Sequence, residues 1–316
     1  MLNQFAAAAE RLLIDQRQEW RMCTMGYATL SGVITRTFDY EGFHLSVQFN
    51  PGRMTSTSAK VDKESIASRK CFLCLENLPA EQRSLSYNED FHILVNPFPI
   101  FPEHFTLPSK KHAPQEIASS FPTMLDFARD LSDKYTVFYN GPRCGASAPD
   151  HLHFQAGTRN FMTIEHDLDS LLSEYGTPLY SEEGMRLTAV DDGLRKMMVL
   201  QSDDKLKVTD AFRKLLAVLK HDDEEPMLNI LAWYEMEMWT VVVFLRRKHR
   251  PACYFAEGEE RIMLSPASVD IGGVGVIPVE EDFRRITAEK LAEILQEVFL
   301  SKEEFTSVSS QLKNQL

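Results

Sequence analysis

The stretch His151-Leu152-His153-Phe154-Gln155 decides the reading of this 316-residue chain. In an extended strand alternate side chains share a face. His151, His153 and Gln155 are therefore expected on one side, with Leu152 and Phe154 turned into an apolar layer. Just ahead lies Asn140-Gly141-Pro142-Arg143-Cys144-Gly145-Ala146-Ser147, a run of small residues whose backbone amides can approach an anion closely. Neutral imidazole is well populated near pH 7 and is a competent nucleophile toward phosphorus. Neighbouring polar groups can hold phosphate oxygens in line, which is most of what phosphoryl transfer asks of a protein. The same spacing also suits metal ligation or an exposed strand, and the residues alone leave these open.

Working outward, Tyr135 to Tyr139 and His151 to Gln155 read as strands bracketing that loop. Phe91 to Val95 and Phe105 to Leu107 are short apolar strands around a Pro-rich bend, and a helix is expected between Pro114 and Lys134, started or kinked at Pro122. Residues 5 to 20 form an amphipathic helix, followed by alternating runs Gly26 to Thr37 and Gly42 to Phe49, read as a hairpin. After about residue 175 the pattern restarts. Strands are expected at Leu187 to Val190, Lys196 to Leu200, Asn229 to Trp233 and Trp239 to Leu245, with helices over Val208 to Leu219 and around Leu291 to Phe299. The expected fold is α+β: an antiparallel sheet with helices, in two related halves. The expected boundaries are 1–44 for an N-terminal helix and hairpin, 45–175 for a catalytic half and 176–316 for a second half.

A net charge of −12 argues against a polyanionic partner such as DNA or RNA, which needs a summed positive field. A small phosphorylated substrate needs only a local basic pocket. One candidate is Arg246-Arg247-Lys248-His249-Arg250, at the exit of the strand ending at Leu245, with Arg246 and Lys248 singled out for phosphate; the alternative is a solvated turn. Gly272-Gly273-Val274-Gly275 opens no helix, so it reads as backbone passing close to a ligand or a neighbouring strand, not a dinucleotide fingerprint. No run of about 18 apolar residues predicts a membrane span. The opening Met1-Leu2-Asn3-Gln4-Phe5-Ala6 lacks the pattern of a signal peptide, and a cytoplasmic protein, monomer or homodimer, is expected.

Two of the five cysteines sit as Cys71-Phe72-Leu73-Cys74. With two histidines such a pair makes a four-ligand set suited to tetrahedral zinc. The candidates are Cys71, Cys74, His112 and His151. A redox pair, or two cysteines packed in a turn, are the alternatives. Cys23, Cys144 and Cys253 look isolated.

His-x-His-x-Gln after an Asn/Gly/Ser loop resembles the galactose-1-phosphate uridylyltransferase branch of the histidine triad superfamily. That branch includes diadenosine tetraphosphate phosphorylases and GDP-hexose phosphorylases, and His151 to Ala156 is most similar to the last of these. Gln48-Phe49-Asn50-Pro51-Gly52-Arg53 and the segment Asn96 to Pro108 resemble two further stretches of the family. The resemblance implies that His153 becomes covalently nucleotidylated and that Gln155, in place of a third histidine, marks a transferase or phosphorylase over a hydrolase. It also implies a structural zinc on the four candidates above, which would pin the strand bearing His153, with His151 orienting that strand. Asn96 would touch the ribose, while Arg53, Asn140, Gly145 and Ser147 would contact phosphate.

The expected activity is transfer from a nucleoside diphosphate sugar through a nucleotidyl-histidine to phosphate or a sugar 1-phosphate. A diadenosine polyphosphate phosphorylase and a non-catalytic nucleotide-binding zinc module are the alternatives.

Overall fold

The strongest apolar runs of the sequence become the middle of one sheet. The computed structural model describes residues 4–54, 58, 62–131, 134–182, 184–219 and 224–316. Ten antiparallel strands line up as β3 (Ser84–Ser86), β4 (His92–Val95), β5 (His104–Pro108), β7 (His153–Thr158), β6 (Tyr135–Asn140), β11 (Leu228–Glu235), β12 (Met238–Leu245), β10 (Lys196–Ser202), β9 (Met185–Asp191) and β8 (Gly176–Glu182). Inward from the two edges the orders are β3-β4-β5-β7-β6 and β8-β9-β10-β12-β11, the same path walked twice. A helix follows the third strand in each half, Phe121–Asp130 after β5 and Lys205–Leu219 after β10. The halves join through β6 and β11, from Asn140↔Asn229 to Val137↔Ala232.

Both of these helices lie on the same face, where Phe121 stacks on Phe212 with ring centroids 3.8 Å apart. Alternation sends Phe154 and Ala156 of β7, and Val241 and Val243 of β12, into that helical layer. Val242 and Phe244 fill the opposite layer. A strand covered on both faces reads as a continuous apolar run, which is why Val241 to Leu245 has no polar residue.

The opposite layer includes a three-stranded sheet, β1 (Ile34–Tyr40), β2 (Phe43–Phe49) and β13 (Val274–Ile277), with β13 parallel to β2. The hairpin therefore straddles the expected boundary at 44/45, which falls inside β2. Its buried Phe43, Leu45 and Val47 share a cluster with Ile277 and Phe283 near the other end of the chain. The glycine-rich run 272–275 leads into β13, so it meets a neighbouring strand. The alternation expected from Gly26 is also corrected. Residues Arg21–Ala28 are helical and Thr29–Gly32 form a 3₁₀ turn, so the first strand begins only at Ile34. A last helix not expected from the sequence, Lys302–Lys313, starts at Ser301, whose side chain caps Glu304 N while Glu304 caps Ser301 N.

Candidate active site

At the end of the β6–β7 pairing the sheet opens into a cavity of 640 Å³. The ladder between the two strands stops at Phe138↔Gln155. Beyond it the chains diverge around the loop 141–152, and a buried side chain takes over from the backbone. Gln115 donates from Nε2 to the carbonyls of Asn140 and His153, 3.0 Å each, and accepts the His153 N–H at 2.8 Å. One amide thus substitutes for the missing β6 partner at His153.

β7 starts at His153, not His151, and this changes which side chains share a face. His153 and Gln155 both line the cavity, whereas His151 lies in the bend before the strand and its ring faces the cysteines. The three-residue shared face expected from the sequence is therefore two residues. His153 Nδ1 lies 2.8 Å from the His151 carbonyl, an acceptor that requires the proton to be on Nδ1. Nε2 is left deprotonated, with no hydrogen bond among the described residues. Burial, the largest influence, lowers the His153 pKa to about 4, so the ring is neutral near pH 7.

Gln155 is oriented from behind. Ile100 N–H donates to His104 Nδ1 at 3.3 Å, which puts the His104 proton on Nε2, and that nitrogen donates to Gln155 Oε1 at 3.0 Å. The NH₂ of Gln155 is consequently the end free to meet a ligand. Tyr27, on the helix that replaces the expected strand, hydrogen-bonds both the N–H and the carbonyl of His104 at 3.1 Å. The place of His104 is fixed by contacts 51 and 77 residues away.

Burial, then the charge of Arg53, pushes the His104 pKa down to about 3. An unfolded histidine protonates near 6.5. Between these values the unfolded chain holds one more proton than the folded one, so stability is full above about 6.5 and falls as pH falls through the window. From pH 7 to pH 5 this group should remove about 2 kcal/mol. His104→Gln should flatten that part of the profile. Urea midpoints at the two pH values check it, and parallel losses in wild type and variant would refute it.

Arg53, Asn96, Asn140, Gly145 and Ser147 all line the same cavity. Gly145 has φ +96°, and a Cβ there would sit 2.7 Å from the Cβ of Ala267, so only glycine lets the loop pass. Among the described residues three arginines face the cavity, Arg53, Arg69 and Arg250, against one carboxylate, Asp270. A local basic pocket thus exists within an acidic chain.

The basic run is corrected in its details. Arg246 is buried and its guanidinium is spent on the carbonyls of Val298, Pro266, Lys248 and His249 and on Asn229 Oδ1. Lys248 pairs with Glu297. Neither lines the cavity, while their neighbours His249 and Arg250 do. Arg143 of the loop is also turned away, onto Glu224 and the Glu225 carbonyl. His92 is buried, His166 bonds the Asn160 carbonyl, and His221 lies outside the described residues.

Next to the strand that carries His153, Cys71, Cys74, His112 and His151 bring one ligand atom each within 4.8 Å of one another. His151 Nδ1 lies 3.2 Å from Cys71 Sγ and 3.5 Å from Cys74 Sγ, and His112 Nδ1 lies 3.3 Å from Cys74 Sγ. Tetrahedral zinc with ordinary Zn–S and Zn–N bonds separates its ligand atoms by about 3.3–3.8 Å. His151 Nε2 donates to the Ser109 carbonyl at 2.8 Å, leaving Nδ1 as the electron pair for a metal. The cluster fits a metal ion.

The twice-repeated antiparallel sheet, with the Asn140–Ser147 loop ahead of the strand that carries His153 and Gln155, is similar in fold to yeast Ap4A phosphorylase. Residues 12–158 match a family model described as a domain of unknown function, DUF4922, and residues 176–316 match "GDPGP1-like, C-terminal domain". Galactose-1-phosphate uridylyltransferase of Lactococcus lactis subsp. cremoris is 31% identical over 170 residues, 44% of this chain and 34% of the relative, so the match spans about a third of that enzyme. Yeast Ap4A phosphorylase Apa2 in complex with Ap4A superimposes with a TM-score of 0.62 at 18% identity, covering 93% of this chain and 97% of that one. Its complex with AMP gives 0.56 at 18% identity, covering 90% and 96%.

Proposed function

We propose that the protein is a nucleotidyltransferase or phosphorylase acting on a nucleoside diphosphate sugar by two displacements. In the first, His153 Nε2 attacks the α-phosphorus, the bond from that phosphorus to the bridging oxygen breaks, and a sugar 1-phosphate leaves. In the second, an oxygen of inorganic phosphate or of another sugar 1-phosphate attacks the same phosphorus and returns the electron pair to Nε2. The observation that carries this is a neutral imidazole whose Nδ1 proton is fixed on the His151 carbonyl, at the wall of a 640 Å³ cavity lined by three arginines. Such a volume suits a nucleotide-sized ligand.

In this reading the Gln155 amide donates to a non-bridging phosphate oxygen, and Asn140, Ser147 and the amides of the Gly145 loop meet the charge that develops there. Arg53 and Arg250 would hold the outer phosphate, and Asn96 the ribose. Zinc on Cys71, Cys74, His112 and His151 would be structural, holding His151 and through its carbonyl the tautomer of His153. Five unpaired cysteines suit the cytoplasmic setting proposed for the chain. Among the described residues no helix is long and apolar enough to cross a membrane.

The test is a panel of nucleotides labelled in the nucleotidyl group: UDP-glucose, UDP-galactose, GDP-glucose, GDP-mannose and diadenosine tetraphosphate. At least one should leave acid-labile label on the denatured protein, released as nucleoside diphosphate when phosphate is added. Labelling by the tetraphosphate alone would move the substrate class to dinucleoside polyphosphates. Tight binding with no covalent label would mark a non-catalytic nucleotide-binding module.

A further inference from the structure

Residues of the second half dictate which atom of Asn140 faces the cavity. Asn140 Oδ1 receives the Ser268 backbone N–H at 2.9 Å and the Asn229 Nδ2 at 2.9 Å. A backbone N–H can only donate, so the atom facing it must be the amide oxygen. Ser268 Oγ lies 2.7 Å from that oxygen and 2.8 Å from the Tyr139 carbonyl, and its single proton serves one or the other. Asn229 is fixed in turn. Its oxygen accepts from Arg246 Nη1 at 2.8 Å, and an arginine cannot accept, so Nδ2 must face the first half. That nitrogen spends its two protons on Asn140 Oδ1 and on the Cys144 carbonyl, 2.8 Å away in the anion loop.

Asn229 is fully buried and Arg246 is 3% exposed, so none of these bonds competes with bulk water. The polarity runs one way, from a guanidinium in the second half to an amide in the first. With its oxygen occupied, Asn140 is left with its NH₂ for the cavity that it lines beside His153.

We propose that Asn229 and Arg246 are positioning residues that present the Asn140 amide to a non-bridging oxygen of the reacting phosphate. The inference rests on the nucleotidyl-transfer reading above. It gives the repeated half a part in the chemistry, since its buried arginine sets the hydrogen-bond polarity of the catalytic loop.

Asn229→Asp tests it. The variant keeps the shape and the acceptor facing Arg246, whose charge balances the new carboxylate, but it loses both N–H donors. Its second oxygen then confronts Asn140 Oδ1 and the Cys144 carbonyl, which turns the Asn140 amide over or displaces it. Loss of one oxyanion donor lowers rate by roughly 10²- to 10³-fold. Formation of the His153 adduct in a single turnover should therefore fall about 10²-fold, with the dissociation constant of the nucleotide changed only a few-fold.

A decisive readout is the ratio of adduct-forming rates for the two α-phosphorothioate diastereomers of GDP-glucose or UDP-glucose, whichever labels better in the panel. A donor aimed at one non-bridging oxygen separates the diastereomers in the wild type, and Asn229→Asp should bring their ratio toward that of Asn140→Ala. If Asn229→Asp does not fold, Asn229→Ser carries the same measurement. Both rates falling by one common factor, with the ratio kept, would overturn the positioning role and leave the proposed function standing. Absence of any wild-type adduct would overturn both.

Discussion

His153→Ala should lower nucleotidyl transfer by about 10⁴-fold or more, because it deletes the atom that forms the new bond to phosphorus. Gln155 and Asn140 offer amides, which are not nucleophilic, and the imidazoles of His104 and His151 are engaged. His104 spends both nitrogens on Ile100 and Gln155, and His151 faces the cysteines and the Ser109 carbonyl. The fold should survive, since β7 is held by its ladders to β5 and β6 and by Gln115, all through backbone atoms of β7. The variant loses the hydrogen bond from Nδ1 to His151, worth about 1 kcal/mol. The measurement is release of labelled nucleoside diphosphate in the presence of phosphate, alongside a melting curve. A variant that melts within a few degrees of wild type and retains its activity would remove His153 from the mechanism.

The second large effect concerns metal. Protein purified without chelator should contain about one zinc per chain, and Cys71→Ser should lose it. The cysteines and His151 reach the site from segments about 80 residues apart in the chain, so the ion would clamp a long loop onto the start of β7. Loss of a structural metal belongs with the largest single-site destabilisations, about 4–5 kcal/mol or more. At roughly 2–4 °C per kcal/mol the melting temperature should fall by about 10 °C. Activity should fall with it, because the carbonyl that fixes the His153 tautomer belongs to a ligand residue. A full melting temperature in metal-free wild type would return the cysteines to packing.

The sequence exposed the parts of the site that are local. His153, Gln155 and the Asn140–Ser147 loop lie within 16 residues, and their motif could be read directly. Their supports could not, because they are assembled by folding. Gln115 reaches His153 across 38 residues, His104 reaches Gln155 across 51, and Asn229 reaches Asn140 across 89. None of these sits in a pattern of charge or periodicity. Arg246 shows the converse failure. A basic run reports charge but not which carbonyls will consume it, and here burial turned an expected phosphate ligand into a scaffold. His151 was misplaced by assuming the strand began two residues early. The helix Lys302–Lys313 was legible in principle, since Ser301 and Glu304 form a capping box ahead of Phe305, Val308 and Leu312, at helical spacing.

The seam between β6 and β11 sets how this chain can be cut. Each half ends its sheet on an apolar strand, Tyr135-Thr-Val-Phe-Tyr-Asn140 or Leu228-Asn-Ile-Leu-Ala-Trp233, and each strand would be a naked edge without the other. A fragment ending before β8 would carry His153 and every expected metal ligand, yet expose a row of open amides and carbonyls. Because the two halves follow the same path, the readiest cover for such an edge is another fragment of the same kind.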